Sequence, residues 1–152
     1  MTFQLVEPIL LIGLGGVGAR LAEKAKKSLN SDCLLISHDQ KDLTIENSIK
    51  ISTKSVVNPS THLIRGSTLE TSDEIKKNIA NYSTVILMSN LAGKAGAGIG
   101  PIVSRICKQE QKNLLSFAIM PFKFEKARIF QSGIALKRVR QDSQCTIVVD
   151  ND

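Results

Sequence analysis

Twice along this chain a short apolar run ends in a cluster of glycines that leads into a helix-like pattern. Few architectures place backbone turns of that kind so regularly. The run Pro8-Ile9-Leu10-Leu11-Ile12 leads into Gly13-Leu14-Gly15-Gly16-Val17-Gly18. The run from Thr84 to Met88 leads into Asn90-Leu91-Ala92-Gly93-Lys94-Ala95-Gly96-Ala97-Gly98-Ile99-Gly100-Pro101. An all-apolar run of strand length is expected of a strand buried on both faces. After the first cluster, Val17, Leu21, Ala25 and Leu29 recur every four residues with lysines between them, which predicts a helix with that stripe buried. Cys33-Leu34-Leu35-Ile36 is the next buried strand, closing a βαβ unit of about 30 residues.

Further along, residues 40 to 70 are read as short strands or loops, with Ile45, Ile49, Ile51, Val56 and Val57 in a Ser/Thr/Lys/Asn-rich stretch. Thr71-Ser72-Asp73-Glu74 is a capping-box pattern that predicts a helix through about Asn81. Pro101 is expected to open a helix through about Lys112. Leu114 to Met120 and Cys145 to Val149 are the last strands, with a helix between them from about Lys126 to Arg140. The alternation predicts an α/β class: a Rossmann-like three-layer domain with a mostly parallel sheet covered by helices on both faces. All 152 residues suit one such domain with a single core.

In sheets of this kind ligands bind beyond the carboxyl ends of the strands, where the glycines fall. Glycine lets backbone approach an anion without a Cβ in the way, and the following helix start offers N–H groups and a positive dipole end. One such loop, with Asp39 at the end of the next strand, fits a dinucleotide site. Two loops from different strands suggest a longer phosphate chain held from two sides, with Lys94 adding a cation. A valine at Gly96 is expected to block phosphate approach and leave the fold intact.

Other function classes find less support. The formal charge is +6, but the basic residues are scattered over separate helix faces with few aromatics between them, so no nucleic acid is expected as a partner. No apolar run approaches the ~18 residues of a membrane span, and Met1-Thr2-Phe3-Gln4 has no signal-peptide character, so a cytoplasmic location is expected. Cys33, Cys107 and Cys145 lack any paired spacing and are expected to pack in the core. His38 lies at a predicted strand end, which gives it a claim to ligand contact that His62 lacks.

With these motifs in hand, the chain resembles the tubulin and FtsZ family. Ala92-Gly93-Lys94-Ala95-Gly96-Ala97-Gly98 resembles its GGGTGTG loop, and Ser37-His38-Asp39 falls where FtsZ proteins have Asn-Thr-Asp. Pro121-Phe122-Lys123-Phe124-Glu125 resembles its PFxFE segment, Ser132-Gly133-Ile134 its xGI helix, and Val149-Asp150-Asn151-Asp152 its IPND strand end. The resemblance implies guanine nucleotide, GTP or GDP, with Mg²⁺ carried on the phosphates. It implies a site from Gly13, Gly15, Gly16, Val17, Gly18, Arg20, Asp39, Gly66, Ala92, Gly93, Lys94, Ala95, Gly96, Ala97, Gly98, Pro121, Glu125 and Arg128. Glu125 would contact the ribose. No catalytic residue and no protein ligand to a metal is assigned.

The departures are specific. Both threonines of the family loop are alanines, Ala95 and Ala97. The family's asparagine near the guanine is replaced around Ala19-Arg20, Arg128 arrives one residue early, and the stretch around Arg65-Gly66-Ser67 is shorter than the family's γ-phosphate loop region. The family's long central helix and catalytic acidic loop lie beyond the stretch that Asn151-Asp152 matches. The expected function is therefore a GTP-binding, FtsZ/tubulin-like domain of a cell-division or cytoskeletal protein. This chain alone would show weak or no hydrolysis, and its partners would be itself or an FtsZ-like protein. An NAD- or ATP-binding Rossmann-type domain, similar to the adenylating ubiquitin-activating-like proteins, and a non-catalytic FtsZ-like interaction module stay open.

Overall fold

The computed structural model describes residues 5–54 and 56–150, so the Asn151-Asp152 part of the strand-end resemblance lies outside it. Among the described residues, six strands form one sheet in the order β3-β2-β1-β4-β5-β6, every neighbouring pair parallel. The strands are β1 (Ile9–Leu14), β2 (Asp32–Ser37), β3 (Ser48–Lys50), β4 (Thr84–Asn90), β5 (Asn113–Met120) and β6 (Cys145–Asp150). The helices are α1 (Gly15–Leu29), α2 (Thr61–Glu70), α3 (Ser72–Ile79), α4 (Lys94–Gln109) and α5 (Lys126–Asp142), with a 3-10 turn over Gln40–Asp42. The expected Rossmann-like α/β class holds, and the sheet is parallel throughout.

Alternate residues of the central strands divide the core between two faces. Leu10, Ile12 and Leu14 pack with Ile64 of α2, Ile75 and Ile79 of α3 and Ile99, Val103 and Ile106 of α4. Leu11 points the other way and meets Ala19 and Ala22 of α1, with Leu35, Ile86 and Met88. A third cluster joins Ala135 of α5 to Ala97 of α4 and Ala118 of β5. These strands are buried along nearly their whole length, which is why they read as continuous apolar runs.

Four local readings need correction. Helix α1 buries Gly15, Gly18, Ala19 and Ala22, while Leu21 and Leu29 are exposed. Small residues let this helix sit close to the sheet, so its buried face is the one without bulky side chains. Residues 61–70, read as strand or loop, form α2, started by Ser60, whose hydroxyl accepts the Leu63 N–H. Thr71 stands at the start of α3 as expected, but without the side-chain cap: its hydroxyl donates to the Ser67 carbonyl, and α3 follows directly on α2. Finally, Pro101 lies inside α4, which begins seven residues earlier at Lys94. The glycine-rich segment is the first turns of that helix rather than a loop before it.

Candidate functional site

The strand order reverses direction between β1 and β4: the chain moves outward through β2 and β3 on one side and through β5 and β6 on the other. A crevice forms at such a switch point, beyond the carboxyl ends of the two strands. Here β1 runs straight into α1, and β4 reaches α4 through Leu91, Ala92 and Gly93. A side chain on Gly15 would begin 2.9 Å from the Ala95 Cβ, so the two helix starts are in contact.

Neither helix has a capping side chain or an acidic residue in its first turn. The first N–H groups of a helix have no partner within it and carry the positive end of the dipole. Two such ends at one crevice make a place where an anion is favoured by Coulomb attraction and by hydrogen bonds together. Gly15, Gly16 and Val17 supply one set of amides, and Lys94, Ala95 and Gly96 the other.

The glycines do not share one task. A Cβ on Gly13 would collide with the Gly18 carbonyl, and one on Gly18 with the Met88 carbonyl. These two let α1 lie against β1 and β4. A Cβ on Gly96 would fall on the Asn90 backbone, and one on Gly98 would press Ile64 of α2 at 3.0 Å. Valine at Gly96 would therefore disturb the fold itself, which corrects the expectation that only phosphate approach would suffer. Gly15 has φ +67°, a conformation that needs glycine for its own sake. Gly93 stands in more open surroundings, and a Cβ on Gly16 would meet only the side chains of Asp42 and Arg20.

Residues around the crevice are tied together by several bonds that the motifs did not announce. The Asn90 side-chain oxygen accepts the Ala92 N–H, and its carbonyl accepts the Gly93 N–H at 3.1 Å, which shapes the second loop. Lys94 donates to the Asn58 side-chain oxygen at 2.7 Å, joining α4 to the residues before α2. Asp42 lies beside the first loop: its Oδ1 is 3.1 Å from where a Gly16 side chain would begin, and its Oδ2 accepts the Ser37 hydroxyl at 2.8 Å. Arg20 folds its Nη1 toward the same Gly16. It also lines a 560 Å³ groove along the outer side of α1 with Glu23, Lys24 and Ile45.

Asp39 sits just after β2, where its carboxylate accepts the Lys41 N–H. That hydrogen bond, with the nearby Lys41 charge, holds its pKa below the ordinary aspartate value. His38, next to it, has a buried Nδ1 with no partner among the described residues. On the other side, Glu125 accepts the Phe122 N–H at 3.0 Å and pairs with Arg128 at 3.5 Å. Arg128 in turn donates to the Ala92 carbonyl at 3.3 Å, which brings the segment after the buried Pro121 against the second glycine loop. Gly66 stands apart, exposed in the middle of α2 with nothing within 4 Å of its side-chain direction.

The two alanines also differ. Ala95 is half-buried at the crevice, whereas Ala97 is buried against Leu91, Ala118 and Ala135. A hydroxyl at position 97 would enter that apolar cluster.

Residues 8–152 match the family model described as Tubulin/FtsZ family, GTPase domain. The chain belongs to the Tubulin/FtsZ family. Among curated relatives, Cell division protein FtsZ 2 of Halobacterium salinarum is 25% identical over 158 residues, covering 95% of this chain and 39% of the relative. Cell division protein FtsZ of Aquifex aeolicus is 24% identical, over 95% of this chain and 42% of its own. This FtsZ-like chain thus spans about two fifths of the length of those relatives. Among solved structures, an empty FtsZ dimer of M. jannaschii superposes with a TM-score of 0.84 at 24% identity, over 94% of this chain and 45% of that one. CetZ of Methanosaeta thermophila gives 0.77 at 18% identity, over 94% and 46%. The low identities show a shared fold on a divergent sequence. Among the described residues no helix is long and apolar enough to cross a membrane.

Proposed function

We propose that the crevice between α1 and α4 binds the phosphates of GTP or GDP, in a cytoplasmic protein of the cell-division or cytoskeletal kind. The observation that carries this reading is the meeting of two helix N-termini at the β1/β4 switch point, neither one capped by its own side chains. Amides of Gly15 to Val17 and of Lys94 to Gly96 would hold the phosphates, and Lys94 would add charge. Among the described residues no group of three or more His, Cys, Asp or Glu side chains could hold a metal. The resemblance implies magnesium carried on the phosphates, where it would supply charge neutralisation, and Asp42 is the carboxylate beside Gly16.

Asp39 and Glu125 lie on opposite sides of the crevice, beyond β2 and β5, and are suited to ribose or base. Glu125 already accepts one backbone N–H and pairs with Arg128, so a ribose hydroxyl would use its remaining lone pairs. Loss of the hydroxyl at Ala95 removes a donor where charge develops in phosphoryl transfer, and lost donors of that kind cost ~10²-fold or more. In the family hydrolysis needs carboxylates from a neighbouring subunit's loop, outside the stretch matched here. Residues 1–152 are therefore expected to bind nucleotide with little or no turnover, and to meet a second copy or an FtsZ-like partner.

Titration calorimetry with GTP, GDP, ATP and NAD tests the reading. Saturable binding of GTP and GDP, stronger than that of ATP or NAD, is expected. Glu125→Gln, which keeps an acceptor for Phe122, should weaken GTP by the ~1.5–3 kcal/mol of a hydrogen bond to a charged group. Preference for NAD or ATP would move the chain to another nucleotide class, and no binding of any of the four would remove the site.

A further inference from the structure

Away from the crevice, α2 and α5 both pack on α4 and leave a groove of about 430 Å³ between them. It is lined by His62 and Arg65 of α2 and by Ala127, Phe130, Gln131, Ile134 and Arg138 of α5. None of these seven takes part in the proposed phosphate site.

The polar side of this groove is unfinished. Arg65 has its Nε shut away from water with no acceptor, although a buried donor without a partner is costly. Burial, and after it the charge of Arg138, lowers its pKa below the usual guanidinium value. The two cations thus come from different helices, face the same space and repel each other. Neither has a carboxylate partner among the described residues; the ion pairs of α5 go to Glu125 through Arg128 and from Asp142 to Arg105 and Lys108. An anion placed between the two guanidinium groups would cancel the repulsion, and a carboxylate matches the planar fork of a guanidinium.

The other side is apolar. Phe130 is 78% exposed and Ile134 is 38% exposed, which leaves ring and aliphatic surface beside the two arginines. A free inorganic anion would make no use of that wall. A nucleic acid would need a longer basic track than two arginines and a histidine provide. A carboxylate side chain with an apolar neighbour uses both halves.

We propose that the groove between α2 and α5 docks an acidic segment of a partner protein, with a carboxylate between Arg65 and Arg138 and an adjacent apolar side chain on Phe130 and Ile134. Arg65 is the half-buried anchor and Phe130 the apolar one.

Fluorescence anisotropy with a labelled, end-capped peptide of alternating glutamate and leucine tests this. Parallel probes are a glutamate/serine peptide, a lysine/leucine peptide and an oligothymidine of similar charge. Saturable binding of the glutamate/leucine peptide is expected, with at least about tenfold lower affinity in Arg65→Gln/Arg138→Gln, the loss that one charge-assisted contact typically carries. Phe130→Ser should weaken it several-fold, and Lys24→Gln on α1 should leave it unchanged. Arg138 is exposed, so Arg138→Gln alone decides the matter if the double variant melts early. Absence of saturable binding, affinity untouched by the arginine changes, or oligothymidine bound as well as the peptide would each overturn the proposal. GTP affinity measured on the same variants should not move, which keeps this test separate from that of the nucleotide site.

Discussion

The two glycine-rich segments look alike in sequence and do different mechanical work. In the first, α1 approaches the sheet through Gly18, Ala19 and Ala22, and its outer side carries exposed Leu21 and Leu29 among lysines. It is a surface helix held close by small residues. The second segment opens α4, which is buried from Gly96 through Pro101 and again at Val103, Ser104, Ile106 and Cys107, between the sheet, α2 and α5. Burial pushes the Cys107 thiol up to about 12, consistent with a core residue rather than a reactive one. Glycine in the first segment sets a turn and a strand–helix contact; in the second it admits neighbouring elements on two sides. Only the extreme start of each helix is left facing the crevice.

The comparison is broken most directly at Gly96. Its side-chain direction is filled by the Asn90 backbone, so Gly96→Val should cost more than about 3 kcal/mol or prevent folding, read by urea unfolding. A folded, stable variant would show that α4 starts elsewhere. Gly15→Ala should cost about 1–2 kcal/mol, because φ +67° is left-handed and Ala95 stands 2.9 Å from the new methyl. The alanine pair sharpens the contrast. Ala97→Thr should lose about 1–2 kcal/mol by forcing a hydroxyl into the Leu91, Ala118 and Ala135 cluster. Ala95→Thr should change stability by less than about 0.5 kcal/mol and tighten GTP several-fold. Equal outcomes at 95 and 97 would erase the distinction drawn here.

The smallest effect belongs to the opposite end of the sheet, where Tyr82 donates to Asp32 at 2.6 Å. Tyr82→Phe should cost about 1 kcal/mol near neutral pH and leave nucleotide binding unchanged. The hydrogen bond to Asp32, with some burial, raises the tyrosine pKa to about 12. The folded state holds this proton more tightly than the unfolded chain. The contribution is therefore complete below the unfolded value near ~10 and lost as pH rises through about 12. A difference between the two proteins that persisted above that pH would contradict the assignment.

Much of the scaffold was legible because each central strand is an uninterrupted apolar run, and such runs admit few other readings. Strands β1, β2, β4, β5 and β6 all fall where the runs predict. Helix α2 was hidden because Thr61 to Glu70 mixes polar and apolar residues with a central glycine, and its packing on α4 is a tertiary contact that no local pattern reveals. The start of α4 was hidden by its own glycines, which read as loop until Gly96 and Gly98 are seen packed against Asn90 and Ile64. Around the crevice, the glycines and the Pro121 to Glu125 segment could be picked out by motif. Asp42 and Asn58 could not, since a lone acid and a lone amide carry no spacing signal, and each matters only through the residue it meets. Gly66 rests only on the resemblance of the Arg65-Gly66-Ser67 stretch to a γ-phosphate loop region, a stretch that here lies within the regular helix α2.

The central claim is that two helix N-termini form one phosphate cradle. Amide NMR spectra of the isotopically labelled chain, recorded during titration with GTP and magnesium, address it residue by residue. The account predicts saturable shifts of the Gly15, Gly16, Val17, Lys94 and Ala95 amides with a single midpoint, because one ligand bridges both helix starts. Shifts confined to one of the two helices, or centred on residues distant from both, would contradict it.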